Sequence, residues 1–533
     1  MLVNQTPVNY ALVVATKYGA GYVGLACFLY FLSALFIGGV RAISLPFSIL
    51  VESYGAIEIL WYLLWFLPFK ARVQKPGRPM VMTTRPQRKA LFEVSLDQVS
   101  DARLFIRKWL GNAHLDEIYR DDIKDWLLSY LWATDTDVGV DADELEEYIE
   151  LIEQKANLTL LRGRAGAKPI RLHLDPVQVS HRSIFFYIVI GVVDIITVAR
   201  LMMKGFNFYA QPRSSFFRVF PLRLMTLFAA RRSASPHFSY FYRPHTSKTH
   251  RPMVFFHGVG LGLSPYVAWL DTIPKDIGIL ALEMLPVSMR ICPEAVAPAD
   301  FQKAMTEILS QQGIDDFVLV GDSYGTLLAR PLLDDPALAA KVDSLVLCDP
   351  VALLAHLPDA VYNLTRRTPQ TAPELQARAL AALDPGVAHT LARRMHWPEH
   401  TLLRENLVGR RTTAVVAGRD CIINANAVAG YVYYSDAGYI TSADAEELRK
   451  TPELWTGRAE LELIYLHDRG HGQCMRAPAE MRRVTNVVEM YARLDLDTNE
   501  ELGEKTEAGQ EQDTAEVGTV ASRSSQVSAA NFV

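Results

Sequence analysis

The sequence predicts an α/β fold, a central sheet flanked by helices, preceded by an N-terminal helical membrane anchor. Three observations predict it. Residues 317–330, FVLVGDSYGTLLAR, read as a buried strand, a tight glycine-flanked turn carrying one serine, and then a helix. Short apolar runs ending in turn residues recur around this unit, at 252–256, 277–282, 345–347, 412–417 and 461–466, with a helical stretch at 298–312. Residues 21–40 are apolar and free of charge, long enough as a helix to cross a hydrocarbon core of about 30 Å.

The serine turn carries the first chemical signal. Gly321 and Gly325 flank Ser323 at the spacing a sharp chain reversal needs, because bulkier side chains there would collide across the turn. The helix that opens after it can aim its N-terminal amides at a developing oxyanion. This strand–turn–helix is a nucleophile elbow. With it, residues 251–494 resemble the α/β-hydrolase superfamily of serine esterases and lipases.

The resemblance implies a mostly parallel sheet and a chain order of nucleophile, acid, then histidine. Carried over by position, these are Ser323, Asp420 after the run 412–417, and His471 between two glycines after the run 461–466. The loop His257-Gly258-Val259-Gly260 resembles the glycine-rich loop after the third strand, so the oxyanion-hole amides would be those of Val259 and Tyr324. A neutral imidazole takes the serine proton, and a carboxylate stabilises the imidazolium that forms. No metal or organic cofactor is implied.

Several residues compete for these roles. His467 lies nearer its strand end than His471, but the glycines around His471 suit an exposed loop. Asp349, after the preceding strand, is the rival acid; Asp349-Pro350 also suits a helix cap with proline just inside it. Asp322 is expected as a solvated or hydrogen-bonding turn residue, and His257 as a structural one.

Residues 42–69 continue apolar but contain Glu52 and Glu58, each costing about 3 kcal/mol at mid-bilayer. Part of this stretch is therefore either a second span or an interfacial helix. Lys70, Arg72, Lys75, Arg78, Arg85, Arg88 and Lys89 follow it, which favours a cytosolic catalytic domain, with the endoplasmic reticulum or lipid-droplet surface as settings. The sequons at Asn157 and Asn363 would argue against this if used. Five cysteines without an even framework agree with a reducing compartment.

Residues 1–75 are thus read as the anchor, 76–181 as a helical accessory region and 182–245 as an amphipathic membrane-proximal segment. Residues 246–495 form the hydrolase domain, with a cap at about 351–411 where this fold inserts one. In the accessory region, helical spacing marks 122–132, and Asp143 with Glu146 reads as a capping box. Asp135, Asp137, Asp141 and Asp143 lack the glycine and spacing of a calcium loop. The apolar stretch 184–203, broken by Asp194 and Arg200, is either a buried helix or one dipping into the membrane. Arg213, Arg218, Arg223, Arg231 and Arg232 after it could meet anionic headgroups. In the cap, Arg393, Arg394, His396 and Trp397 suggest a lid over the pocket. The acidic, polar tail 496–533 is expected to be disordered.

A net charge of −5 with no basic-aromatic module speaks against nucleic acid. The expected function is membrane-anchored hydrolysis of an acyl ester, of a lipid or other apolar substrate, with membrane lipids as partners. Acyl transfer by the same triad and a non-catalytic scaffold are the alternatives. Aspartate-nucleophile relatives such as epoxide hydrolases are disfavoured by Ser323.

Overall fold

The computed structural model describes residues 2–77, 84–434, 440–451 and 455–494. Arg78 and the tail 496–533 lie outside the described residues. At the centre is a nine-stranded sheet: β1 (Asn207–Ala210), β2 (Arg231–Arg232), β3 (Tyr240–Arg243), β4 (Met253–Phe256), β5 (Ile279–Leu282), β6 (Phe317–Asp322), β7 (Val342–Cys348), β8 (Arg411–Ala417) and β9 (Leu461–Leu466). Their spatial order is β2-β1-β3-β5-β4-β6-β7-β8-β9. Only β3 runs against its neighbours β1 and β5; the other pairs are parallel. This is the α/β-hydrolase fold, as the sequence predicted.

Each central strand divides its side chains between two cores, as the twofold period of a strand requires. Phe317 and Leu319 of β6 join Leu345 and Leu347 of β7 on one face, against Phe301, Met305 and Ile308 of the helix Pro298–Gln312. Val318 and Val320 join Val346 and Val415 on the other, against Val484, Val487 and Tyr491 of the helix Pro478–Ala492. Burial on both faces explains why these strands read as unbroken apolar runs. Because β6, β7, β8 and β9 are parallel and adjacent, the loops after all four open on one edge of the sheet. Ser323, Asp349, Asp420 and His471 lie on those loops.

The accessory region builds a third core from Phe105, Trp109, Trp126, Tyr148 and Ile152. It packs on the cap, where Trp397 stacks on Tyr130 at 4.5 Å and donates from Nε1 to the Tyr130 carbonyl at 3.1 Å. The cap of the helix Ala142–Ala156 is Asp141, not the expected Asp143: its carboxylate accepts from the Asp143 amide at 3.0 Å. Arg393 is no lid surface residue. Its guanidinium is buried and donates to the carbonyls of Lys75, Leu172 and Asp175, clasping the cap to the segment before it.

Among the described residues, three helices are long and apolar enough to cross a membrane by length and composition: Gly21–Ile43, Pro46–Arg72 and Ile184–Met203. The first two pack as an antiparallel hairpin at small residues. A side chain at Gly55 would sit 2.9 Å from the Cys27 Cβ, and one at Gly24 would sit 3.0 Å from the Glu58 Cβ. Glu58, a charge that would be costly in lipid, is buried within the protein. It accepts from the Tyr54 hydroxyl and from the Ile184 amide at 2.7 Å, capping the third apolar helix. That third helix buries Tyr187, Ile190 and Leu201 and exposes Phe185, Ile188, Val192 and Ile195 on its other face.

Two basic groupings differ from expectation. Arg223 faces no headgroup: it is buried between Asp194 at 2.9 Å and Glu283 at 2.8 Å, and Arg290 reaches the same Asp194 at 2.8 Å. Asp194, an interruption in the apolar stretch, is thereby neutralised from the side. Arg85, Arg88 and Lys89 pair with Asp141, Glu144 and Glu147, which leaves Lys70, Arg72 and Lys75 as the exposed cations at the end of the second apolar helix.

Removing one member of a buried ion cluster strands the others, at a cost of about 3–5 kcal/mol. Arg223→Ala should therefore lower the unfolding midpoint of the detergent-solubilised protein markedly, whereas Arg231→Ala, at an exposed site, should leave it unchanged. Equal midpoints for the two variants would contradict the cluster's role.

Candidate active site

The elbow is built by sterics. After β6 the chain turns at Ser323 with φ 52° and ψ −115°, then enters the short helix Tyr324–Leu327. Holding a non-glycine residue there costs roughly 1–3 kcal/mol and projects the hydroxyl out of the turn. Gly325 allows it, because a Cβ at that position would lie 2.1 Å from the Phe256 carbonyl oxygen. A Cβ at Gly321 would press on Thr326 at 3.0 Å. The Ser323 amide donates to the Cys348 carbonyl at 2.9 Å, tying the turn to the end of β7.

Ser323, His471 and Asp420 form one hydrogen-bonded chain. His471 Nε2 lies 2.7 Å from Ser323 Oγ, and Nδ1 lies 2.6 Å from Asp420 Oδ2. The other Asp420 oxygen accepts from the amides of Ile422 at 2.7 Å and Ile423 at 3.0 Å. With Asp420 ionised, Nδ1 carries the ring proton and Nε2 is left to accept from the serine. Burial pulls the His471 imidazole down, but the charge and hydrogen bond of Asp420, with Asp349 and Asp322 behind it, outweigh this and raise it to about 9. His471 is 4 % exposed, so its flanking glycines mark a tight loop and not an exposed one. The rival His467 is half exposed beside Asp468.

Asp349 reaches neither helix start nor solvent, contrary to the capping alternative. Fully buried at φ 43°, it accepts from the Ala417 amide at 2.9 Å through Oδ1 and from the Gly472 amide through Oδ2. One carboxylate thus fastens the end of β8, which leads to Asp420, to the loop that carries His471. Burial raises its carboxyl to about 7. Asp322 is likewise not solvated. It is 1 % exposed and accepts from the Tyr266 hydroxyl, which in turn accepts from the Gly258 amide at 3.0 Å. This relay presses the Gly258 loop against the elbow, where a Cβ on Gly258 would stand 3.1 Å from the Ser323 Cβ. These two roles left no trace in the sequence, because the amides and the hydroxyl involved are distant along the chain.

His257 spends both ring nitrogens on the backbone, donating from Nδ1 to the Gly258 carbonyl at 2.8 Å and accepting at Nε2 from the Met284 amide at 3.0 Å. Burial holds it down at about 4, so it stays neutral and shapes the loop. The Val259 and Tyr324 amides have no hydrogen-bond acceptor among the described residues, and both residues line the same cavity as Ser323. That cavity, of about 100 Å³, is walled by apolar cap residues such as Val351, Ala360, Leu364, Leu391 and Met395. A larger cavity of about 280 Å³ shares Tyr324 with it but touches neither Ser323 nor His471.

Asp349, Asp420 and His471 hold potential metal-ligand atoms within 4.8 Å of one another, as do Asp322, Asp349 and Cys474. Every carboxylate oxygen and ring nitrogen in these groups already has a hydrogen-bond partner in the protein. Such a set fits an internal network better than an ion.

No protein-family model matches the chain, and no curated protein matches it. Solved structures do. One is a bacterial membrane phospholipase A, at 12 % identity and a TM-score of 0.35, covering 58 % of this chain and 94 % of that one. Another is a putative lipase from Acinetobacter baumannii, at 11 % identity and a TM-score of 0.34, covering 56 % and 95 %. A third is naproxen esterase from Bacillus subtilis, at 14 % identity and a TM-score of 0.30, covering 48 % and 88 %.

The contact at Gly325 gives a test of the elbow. Gly325→Ala should prevent the turn from forming and yield protein that aggregates or unfolds several degrees lower. Gly409→Ala, with nothing within 4 Å but a positive φ of 75°, should cost only about 1 kcal/mol. A Gly325→Ala variant as stable as wild type would contradict the steric account.

Proposed function

We propose that this chain is a membrane-anchored serine hydrolase that cleaves acyl esters of lipids or other apolar substrates. The observation that carries the reading is the unbroken hydrogen-bonded chain Asp420–His471–Ser323 opening into an apolar cavity. Ser323 Oγ attacks the ester carbonyl as His471 Nε2 takes its proton. Asp420 keeps the ring in the tautomer that can accept, and stabilises the imidazolium. The amides of Val259 and Tyr324 receive the negative charge on the carbonyl oxygen. The imidazolium then protonates the leaving alcohol. Water enters, gives its proton to His471 and attacks the acyl carbon, and His471 returns that proton to Ser323 Oγ as the acid leaves.

The apolar lining and the neighbouring apolar helices favour a hydrophobic ester. Lys70, Arg72 and Lys75, exposed at the end of the second apolar helix, support a catalytic domain on the cytosolic side with the hairpin in the bilayer. The substrate then reaches the site from the membrane surface.

A fluorophosphonate probe should label the wild type at Ser323 and leave Ser323→Ala unlabelled. The acid is separated by two variants. Asp420→Asn should lower turnover by about 10⁴-fold by upsetting the tautomer, and Asp349→Asn, which touches only backbone amides, by far less. Loss of turnover in Asp349→Asn alone would reverse the assignment.

The pH dependence has a definite sign. The base must be neutral, so labelling should speed up as pH rises through the raised histidine value, between 6.5 and about 9. A rate already level below pH 6 would contradict the Asp420–His471 coupling.

A further inference from the structure

We propose that Leu2, on the segment leading into the first apolar helix, is a specificity-determining wall of the catalytic cavity and limits the length of ester that fits; this rests on Ser323 being the nucleophile. Leu2 is 7 % exposed and lines the same cavity as Ser323 and His471. It belongs neither to the hydrolase domain nor to the cap.

Its position is fixed by backbone and side-chain bonds. The Leu2 amide donates to the His471 carbonyl at 3.4 Å, and the Leu2 carbonyl accepts from Gln473 Nε2 and Arg476 Nη1, each at 3.4 Å. The Val3 amide donates to Gln376 Oε1 at 2.7 Å, and Gln5 Oε1 accepts from the Ala372 amide at 2.7 Å. Asn4 Oδ1 accepts from Gln473 Nε2 at 2.8 Å. Residues 2–5 therefore bridge the cap, through Ala372 and Gln376, to the loop that carries the histidine.

A loose segment cannot act as a wall. Here several hydrogen bonds hold the backbone on both sides of the pocket mouth. Burial of the Leu2 side chain adds the hydrophobic gain of removing it from water. Thr6 then accepts from the Asn9 amide at 3.1 Å and caps the helix Pro7–Ile43, which contains the first candidate span. The stretch that enters the membrane thus also shapes the pocket, and the apolar substrate meets Leu2 beside the reacting serine.

The test uses the full-length protein in detergent micelles, with p-nitrophenyl esters lengthened in the acyl half and a parallel series lengthened in the alcohol half. Leu2→Trp should lower the ratio of kcat/KM for the longest to the shortest member of at least one series by tenfold or more. Gln376→Ala, which frees the Val3 amide, should shift the long-to-short preference by at least threefold while the fold is retained. Fluorophosphonate labelling separates the two readings. A wild type that is never labelled overturns the hydrolase reading and this one with it. Labelled variants whose length preference matches the wild type overturn the role of Leu2 alone.

Discussion

The His471 ring, suspended between the Asp420 carboxylate and the Ser323 hydroxyl, is the contact on which the rest of the structure bears. The three groups come from loops after β6, β8 and β9, and they meet only because those strands are parallel and their ends share one edge of the sheet. The neighbouring features defend that meeting. Gly325 lets the chain reverse under Ser323, Asp349 fastens the two loops that bring the acid and the imidazole, and the Tyr266–Asp322 relay seats the Gly258 loop beside the serine. Burying three carboxylates around one histidine is expensive. Backbone amides donating to Asp349 and Asp420, the ring proton donated to Asp420 and the Tyr266 hydroxyl donated to Asp322 offset that cost.

The second organising constraint is the apolar surface. The hairpin and the third apolar helix expose large hydrophobic side chains outward, while two of their acidic groups turn inward: Glu58 caps a helix start, and Asp194 meets two arginines. Helices that pair or bury their mid-span acids and display leucines and phenylalanines are suited to a lipid environment. The segment at residues 2–5 connects this surface to the mouth of the cavity, so the first apolar helix and the site are one continuous piece of structure.

Much of the fold was legible because strands buried on both faces write themselves as short apolar runs. The bounds of β9 and of the helix Pro298–Gln312 coincide with the pattern, and β7 is longer than its apolar centre because Val342 to Ser344 pair at the sheet end. Ser323, Asp420 and His471 stood out through local signals, glycines and strand ends, and their side chains lie in one hydrogen-bonded chain. What the sequence hid was long-range. Nothing near Asp349 announces that its partners are the amides of Ala417 and Gly472, and nothing near Arg223 shows the two carboxylates that bury it. Reading Asp349-Pro350 as a candidate cap and Arg223 as a headgroup contact took the local pattern as the whole environment, whereas Asp322 takes the hydrogen-bonding one of its two expected roles. The helix cap at Asp141 was missed for a smaller reason: two aspartates near the helix start both suit the position, and backbone angles decide between them.

The account stands or falls on where an acyl group goes during turnover. Turning over an activated ester, quenching in acid within the first cycle and sequencing the modified peptide by mass spectrometry would locate it. The account predicts the acyl mass on Ser323, in the peptide that spans the turn after β6. Acyl mass on another residue, or turnover with no covalent intermediate under conditions that trap one in a control serine esterase, would contradict it.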